Sequence, residues 1–77
     1  MLSKEEIPDE RILRIAKKIR QLRIDANYTS AESFAYDNNI NRVQYWRVEN
    51  GTNLTLKTLL KLLDIHKISL SDFFREI

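Results

Sequence analysis

Between Ser30 and Gly51 the chain reads SAESFAYDNNINRVQYWRVENG, and its second half brings Arg42, Val43, Gln44, Trp46 and Arg47 close together. If this half is helical, those five lie on the side opposite Tyr45 and Val48, which are three apart and, with Ile40, suited to face a core. An arginine guanidinium can donate a pair of hydrogen bonds to guanine, a glutamine amide can pair with adenine, and a valine can pack on the thymine methyl. The chemistry on offer is recognition of base edges, not bond-making. The plain alternative is that Arg42 and Arg47 belong to an ordinary solvated helix face.

Other chemistries find little support. The chain has no Cys and a single His, so neither a disulfide framework nor a thiolate or histidine metal site is expected. There is no Ser/His/Asp set, Gly-rich phosphate loop or pair of carboxylates placed for acid–base work; Glu5, Glu6, Asp9 and Glu10 read as tail and helix-start charge. His66 reads as a surface residue in a turn. A chain of 77 residues forms one small domain, which buries only a little over ~60% of its unfolded surface and leaves scant room for a deep cleft. No enzyme activity, cofactor or metal is therefore expected. No apolar run reaches the ~20 residues of a membrane span, and the N-terminus is acidic and unlike a signal peptide, so a cytoplasmic protein is expected. The net charge is only +2, but from Arg11 to Lys61 there are ten Lys and Arg against four Asp and Glu. That asymmetry suggests one basic face.

The elements that must hold the 42–47 side chains read as follows. One Gly and one Pro favour helix over a turn-rich β fold. Residues 1–8 form a flexible lead-in, and 9–77 form the domain. Pro8, Asp9 and Glu10 suit the start of a first helix reaching about Ala26, with Ile12, Ile15, Ala16, Ile19, Leu22 and Ala26 as its buried stripe. Lys17, Lys18 and Arg20 lie off that stripe, toward water or a phosphate. Asn27 is a plausible left-handed stop. Ser30 or Thr29 caps a second helix that buries Phe34 and Ala35 and ends at Asn38-Asn39. Ile40 plugs the turn, Asn41 caps a third helix running to Glu49, and Asn50-Gly51 closes it. Thr55 caps a fourth helix, expected to bury Leu56, Leu59, Leu60 and Leu63, to expose Leu62, and to end near Ile65. Ser69 to Asp72 loosely matches a capping box before a last apolar helix with Leu70, Phe73, Phe74 and Ile77. The fold class is all-α: five helices, with a helix-turn-helix at about 30–49.

On these residues the chain resembles the Cro/C1-type helix-turn-helix proteins, the Xre-like, phage-repressor-like class. The matching pieces are I-x-x-L-R from Ile19 to Arg23, Phe34-Ala35, R-V-E-N-G from Arg47 to Gly51, T-L-L-K-L-L from Thr58 to Leu63, and I-S-L-S-D-F-F from Ile68 to Phe74. The likeness covers roughly residues 12–74. F-A-Y-x-N-x-I-x-R-x-Q-Y is similar to a variant branch found in Bacteroidetes-type bacteria. The chain departs from the family where Asn27, Asn39 and Lys67 replace turn glycines, and where Thr29-Ser30-Ala31 replaces a Ser/Thr-Gln opening and is one residue longer.

The resemblance implies a compact, lambda-repressor-like domain acting as a transcriptional regulator, expected to be a repressor, that binds double-stranded DNA as a homodimer on two half-sites. It implies base contacts from Arg42, Val43, Gln44 and Arg47, and phosphate contacts from Ser30, Asn41, Asn50, Thr52 and Asn53. Lys17, Lys18 and Lys57 are weaker phosphate candidates. It implies a structural ion pair between Arg23 and Glu49. Phe74, Ile77 and Leu62 are candidates for the dimer patch. Trp46 stands where the family has a small or polar residue, and packing at the core edge is its first expected role. The competing reading is a protein-interaction module on the same fold, such as an antitoxin or an adaptor, with weak or no DNA binding. Trp46 and the missing Gln of the second helix favour it.

Overall fold

Every helix among the described residues begins on a side chain that accepts from its own first turn. The structure, a computed structural model, describes residues 9–52, 54–75 and 77, and among these it contains five helices and no strand. They are α1 (Glu10–Asp25), α2 (Ala31–Asp37), α3 (Arg42–Glu49), α4 (Leu56–His66) and α5 (Leu70–Phe74). The lead-in over residues 1–8, Pro8 included, and Asn53 lie outside the described residues. Asp9, Ser30, Asn41, Thr55 and Ser69 accept hydrogen bonds from the amides of Arg11, Ser33, Gln44, Thr58 and Asp72 at 2.8–3.2 Å. Each satisfies a donor that the helix itself leaves unpaired. Asp9 is thus the cap of α1, not a first-turn residue. The Arg11 side chain, bonded to the same carboxylate, holds its pKa down at about 2.

The first four helices also end alike. Asn27, Asn39, Gly51 and Lys67 have positive φ, at 70°, 56°, 80° and 55°. After each, the next residue's amide reaches back five positions: Tyr28 to the Arg23 carbonyl, Ile40 to Ala35, Thr52 to Arg47 and Ile68 to Leu63, at 2.9–3.2 Å. This left-handed closure caps the last carbonyls and turns the chain sharply. Asn27, Asn39 and Gly51 were legible as stops; Lys67 adopts the same conformation without a residue type that favours it. Gly51 has a second constraint, since a Cβ there would lie 2.5 Å from Leu13 Cδ2.

The core gathers Ile19 of α1, Phe34 and Ala35 of α2, Tyr45 and Val48 of α3, Leu59, Leu62 and Leu63 of α4, and Phe73 of α5. Its centre is the Phe34 ring. Tyr28 meets it edge-on at 5.2 Å, Tyr45 lies tilted at 4.9 Å, and His66 stacks at 5.2 Å with an interplanar angle of 6°. One ring therefore ties α2 to α3, to α4 and to the α1–α2 connection.

Three expectations are corrected. Leu62 is 1% exposed whereas Leu56 is 69% exposed and Leu60 is also exposed, so the buried stripe of α4 is Leu59, Leu62, Leu63 and, one turn on, His66. His66 belongs to the last turn of α4, half-buried on Phe34, and is not a surface turn residue. Burial pulls its pKa down, and its Nε2 has no hydrogen-bond partner among the described residues. Ala26 lies outside the buried stripe of α1, because the helix stops at Asp25 and the chain turns there.

Candidate nucleic-acid interface

Helix α3 has only eight residues, too few to be stable alone in water. It is held from outside. Asn41 caps its start, Tyr45 and Val48 are sunk in the core, and its far end is tied to α1 by Arg23 and Glu49. Arg23 Nε donates to Glu49 Oε2 at 2.7 Å and Nη2 donates to Oε1 at 3.1 Å, a two-pronged contact between side chains only 6% and 5% exposed. Arg23 Nη1 donates to the Tyr28 carbonyl at 2.9 Å. The charges are thus paired and hydrogen-bonded, as burial requires. Glu49 raises the pKa of the Arg23 guanidinium. The enclosed Tyr45 hydroxyl stays protonated far above the usual phenol range, chiefly through burial and then through Glu49.

With one side of α3 so fixed, Arg42, Val43, Gln44, Trp46 and Arg47 all reach the surface. All four candidate base-contacting residues are therefore exposed on one helix, spread around its outer surface with Arg42 and Gln44 toward opposite flanks. Trp46 is 58% exposed. It is more exposed than packing at the core edge implies, and it borders a shallow groove of about 340 Å³ with Ala31 and Glu32 of α2 and with Arg42 and Val43. On the other flank, Gln44 shares a groove of about 330 Å³ with Asn39, Ile40, Asn41, Lys57, Thr58, Lys61 and Leu62. Lys57, a weaker candidate in the sequence, and Lys61, which had not stood out, both border this groove beside Gln44. The spacing of four along α4 puts them on one helix face, and that signal was available.

The candidate phosphate-contacting residues fare unequally. Ser30 and Asn41 use side-chain oxygens as helix caps. Asn50 Nδ2 donates to the Trp46 carbonyl at 2.7 Å. Thr52 sends both its amide and its hydroxyl to the Arg47 carbonyl, at 2.9 and 3.0 Å. Thr52 thus closes α3 with donors turned inward. Asn53 lies outside the described residues. Lys17 is exposed, but Lys18 is half-buried, with its ammonium 6.0 Å from the centre of the Phe73 ring, so it is not simply turned to water as its position off the stripe had implied.

Two further features were missed. Glu32, in the first turn of α2, reaches Arg42 across the turn: Nη1 donates to Oε1 at 3.4 Å. Tyr36 stands 83% exposed at the edge of a third groove, about 600 Å³, with Ser30, Ser33, Asp37, Ile40 and the same Glu32–Arg42 pair. Neither follows from helical periodicity, because both depend on how α2 sits against α3. Among the described residues no cluster of three or more His, Cys, Asp or Glu is gathered as a metal would need, and no helix is long and apolar enough to cross a membrane. Comparison with protein-family models, with curated proteins and with solved structures finds no match.

Proposed function

We propose that this chain is a sequence-specific double-stranded-DNA-binding regulator of transcription, a repressor of the Cro/C1-like helix-turn-helix kind. One observation carries the reading. Helix α3 is anchored at its start, along its inner side and at its end, and those anchors leave Arg42, Val43, Gln44 and Arg47 exposed. A helix anchored in this way can enter the major groove with its side chains already oriented, which lowers the ordering cost of binding. In this reading α3 is the recognition helix and α2 supports it across the Asn39 turn. Arg42 and Arg47 select guanine, Gln44 selects adenine, and Val43 packs on a thymine methyl. Asn41 and Asn50, with Lys57 and Lys61 alongside, supply the phosphate contacts that give register and salt-dependent affinity.

The domain works as a homodimer on two half-sites about one helical turn apart. The exposed apolar side chains of Leu70, Phe74 and Ile77 form its contact. Leu62 drops out of that patch because it is buried in its own core.

Arg42→Ala together with Arg47→Ala tests the reading. Both sites are exposed, so the fold survives, while each lost bidentate contact costs about 1–3 kcal/mol of discrimination. Selective duplex binding is expected to disappear. A second reading, a protein-interaction module such as an antitoxin or adaptor, is favoured by the exposure of Trp46 beside Val43. It requires partner binding that survives the double arginine change and fails on Trp46→Ala.

A further inference from the structure

We propose that Glu32 is a specificity-determining residue of this interface: its carboxylate holds Arg42 away from phosphates and so reserves that arginine for base edges. The inference rests on the DNA-binding reading above. Glu32 belongs to α2 and Arg42 to α3, ten positions apart, yet Arg42 Nη1 lies 3.4 Å from Glu32 Oε1. The two side chains are 71% and 70% exposed, and a pair so exposed contributes little to stability. Its position says more. The pair forms the wall shared by two grooves, one lined by Trp46 and Val43 and the other by Tyr36 and Ile40. It therefore stands at the start of the recognition helix, where Arg42 would otherwise sweep freely.

Arginine binds a phosphate and a guanine edge with the same forked donors. A phosphate is present at every position of every duplex, so an arginine free to take one raises affinity without raising selectivity. A carboxylate alongside changes the balance. It repels an approaching phosphate, and it offers Arg42 an acceptor that only a well-placed partner can replace. Glu32 thereby penalises wrong complexes more than the right one, which is how specificity is built by opposing the competitor.

The experiment compares wild type, Glu32→Gln and Glu32→Gln/Arg42→Ala. Affinity is measured for the duplex selected by the wild-type protein and for a scrambled duplex of equal length, across a salt series. Thermal melting checks that each variant is folded. Glu32→Gln is expected to bind scrambled duplex several-fold more tightly and to lower the ratio of selected to scrambled affinity about fivefold or more. Its salt dependence on scrambled duplex should steepen by about 0.9 in log–log slope, the value of one added phosphate contact. The double variant should lose that extra slope, which shows that the effect runs through Arg42. An unchanged ratio and slope in Glu32→Gln, or an extra slope that persists in the double variant, overturns the role of Glu32 while leaving DNA recognition intact. A wild-type protein that selects no duplex overturns the DNA-binding reading and the Glu32 assignment with it.

Discussion

Arg23 and Glu49 illustrate how much of this molecule depends on single side chains. Their contact joins α1 to the far end of α3, with both side chains almost wholly out of water. Such a pair is costly to break from one side, since the remaining charge stays buried without a partner. Arg23→Ala or Glu49→Ala is expected to destabilise the domain by about 3–5 kcal/mol. Replacing both by apolar residues of similar volume should cost much less, because no charge is then left behind. Denaturant unfolding of the two single variants and the double variant checks the pair directly. A loss that simply adds up across the double variant would argue that the contact contributes nothing. Gly51 is another residue at which a single substitution should tell. Its φ of +80° and the proximity of Leu13 act together, so Gly51→Ala is expected to cost about 1–2 kcal/mol from the backbone alone. The apparent melting temperature is the simplest readout.

At the scale of elements, four helices end in the same left-handed closure with four residues in different local contexts: Asn27, Asn39, Gly51 and Lys67. Asparagine and glycine adopt this conformation more readily than lysine. Lys67→Gly should therefore stabilise the domain by about 0.5–1 kcal/mol, seen as a rise of several degrees in melting temperature. Capping and stop residues made the helix ends readable from sequence, because their chemistry is local. The face of α4 was not readable in the same way. From Leu56 to Ile65 it holds Leu at 56, 59, 60, 62 and 63 and Ile at 65, enough apolar residues to draw more than one stripe at helical spacing. The buried stripe is Leu59, Leu62 and Leu63, and His66 lies on the same face one turn later, stacked on Phe34. The Glu32–Arg42 contact was illegible for a related reason: it depends on the packing of two helices and leaves no trace in the period of either.

For the whole molecule, the Phe34 ring is where α2, α3 and α4 meet, and His66 makes that junction sensitive to acid. Burial lowers the folded pKa of His66 below its ordinary 6.5. The unfolded chain then binds the proton more readily than the folded one, so stability is full above pH 6.5 and falls as pH drops through the interval below it. Wild type is expected to lose stability between pH 7 and pH 5 relative to His66→Leu, which has no such proton to bind. A difference between the two proteins that stays constant across that range would contradict the burial of this imidazole. The same junction sets the pose of α3, and through it the proposed recognition surface. The anchors of that surface were largely visible in the sequence: Asn41, Tyr45, Val48, Arg23 and Glu49 all take their expected places. Its borders were less so: the spacing of Lys57 and Lys61 placed those two on one face of α4, but Glu32 and Tyr36 come from α2, whose placement against α3 no local pattern encodes.

The most direct test is to select bound duplexes from a random DNA pool with the wild-type protein at two salt concentrations. The DNA-regulator reading predicts a recovered motif that persists at the higher salt, arranged as a palindrome whose half-sites lie about 10 base pairs apart. Binding without sequence preference that vanishes at the higher salt would reduce the interaction to its phosphate component. That result would contradict a recognition role for Arg42, Val43, Gln44 and Arg47.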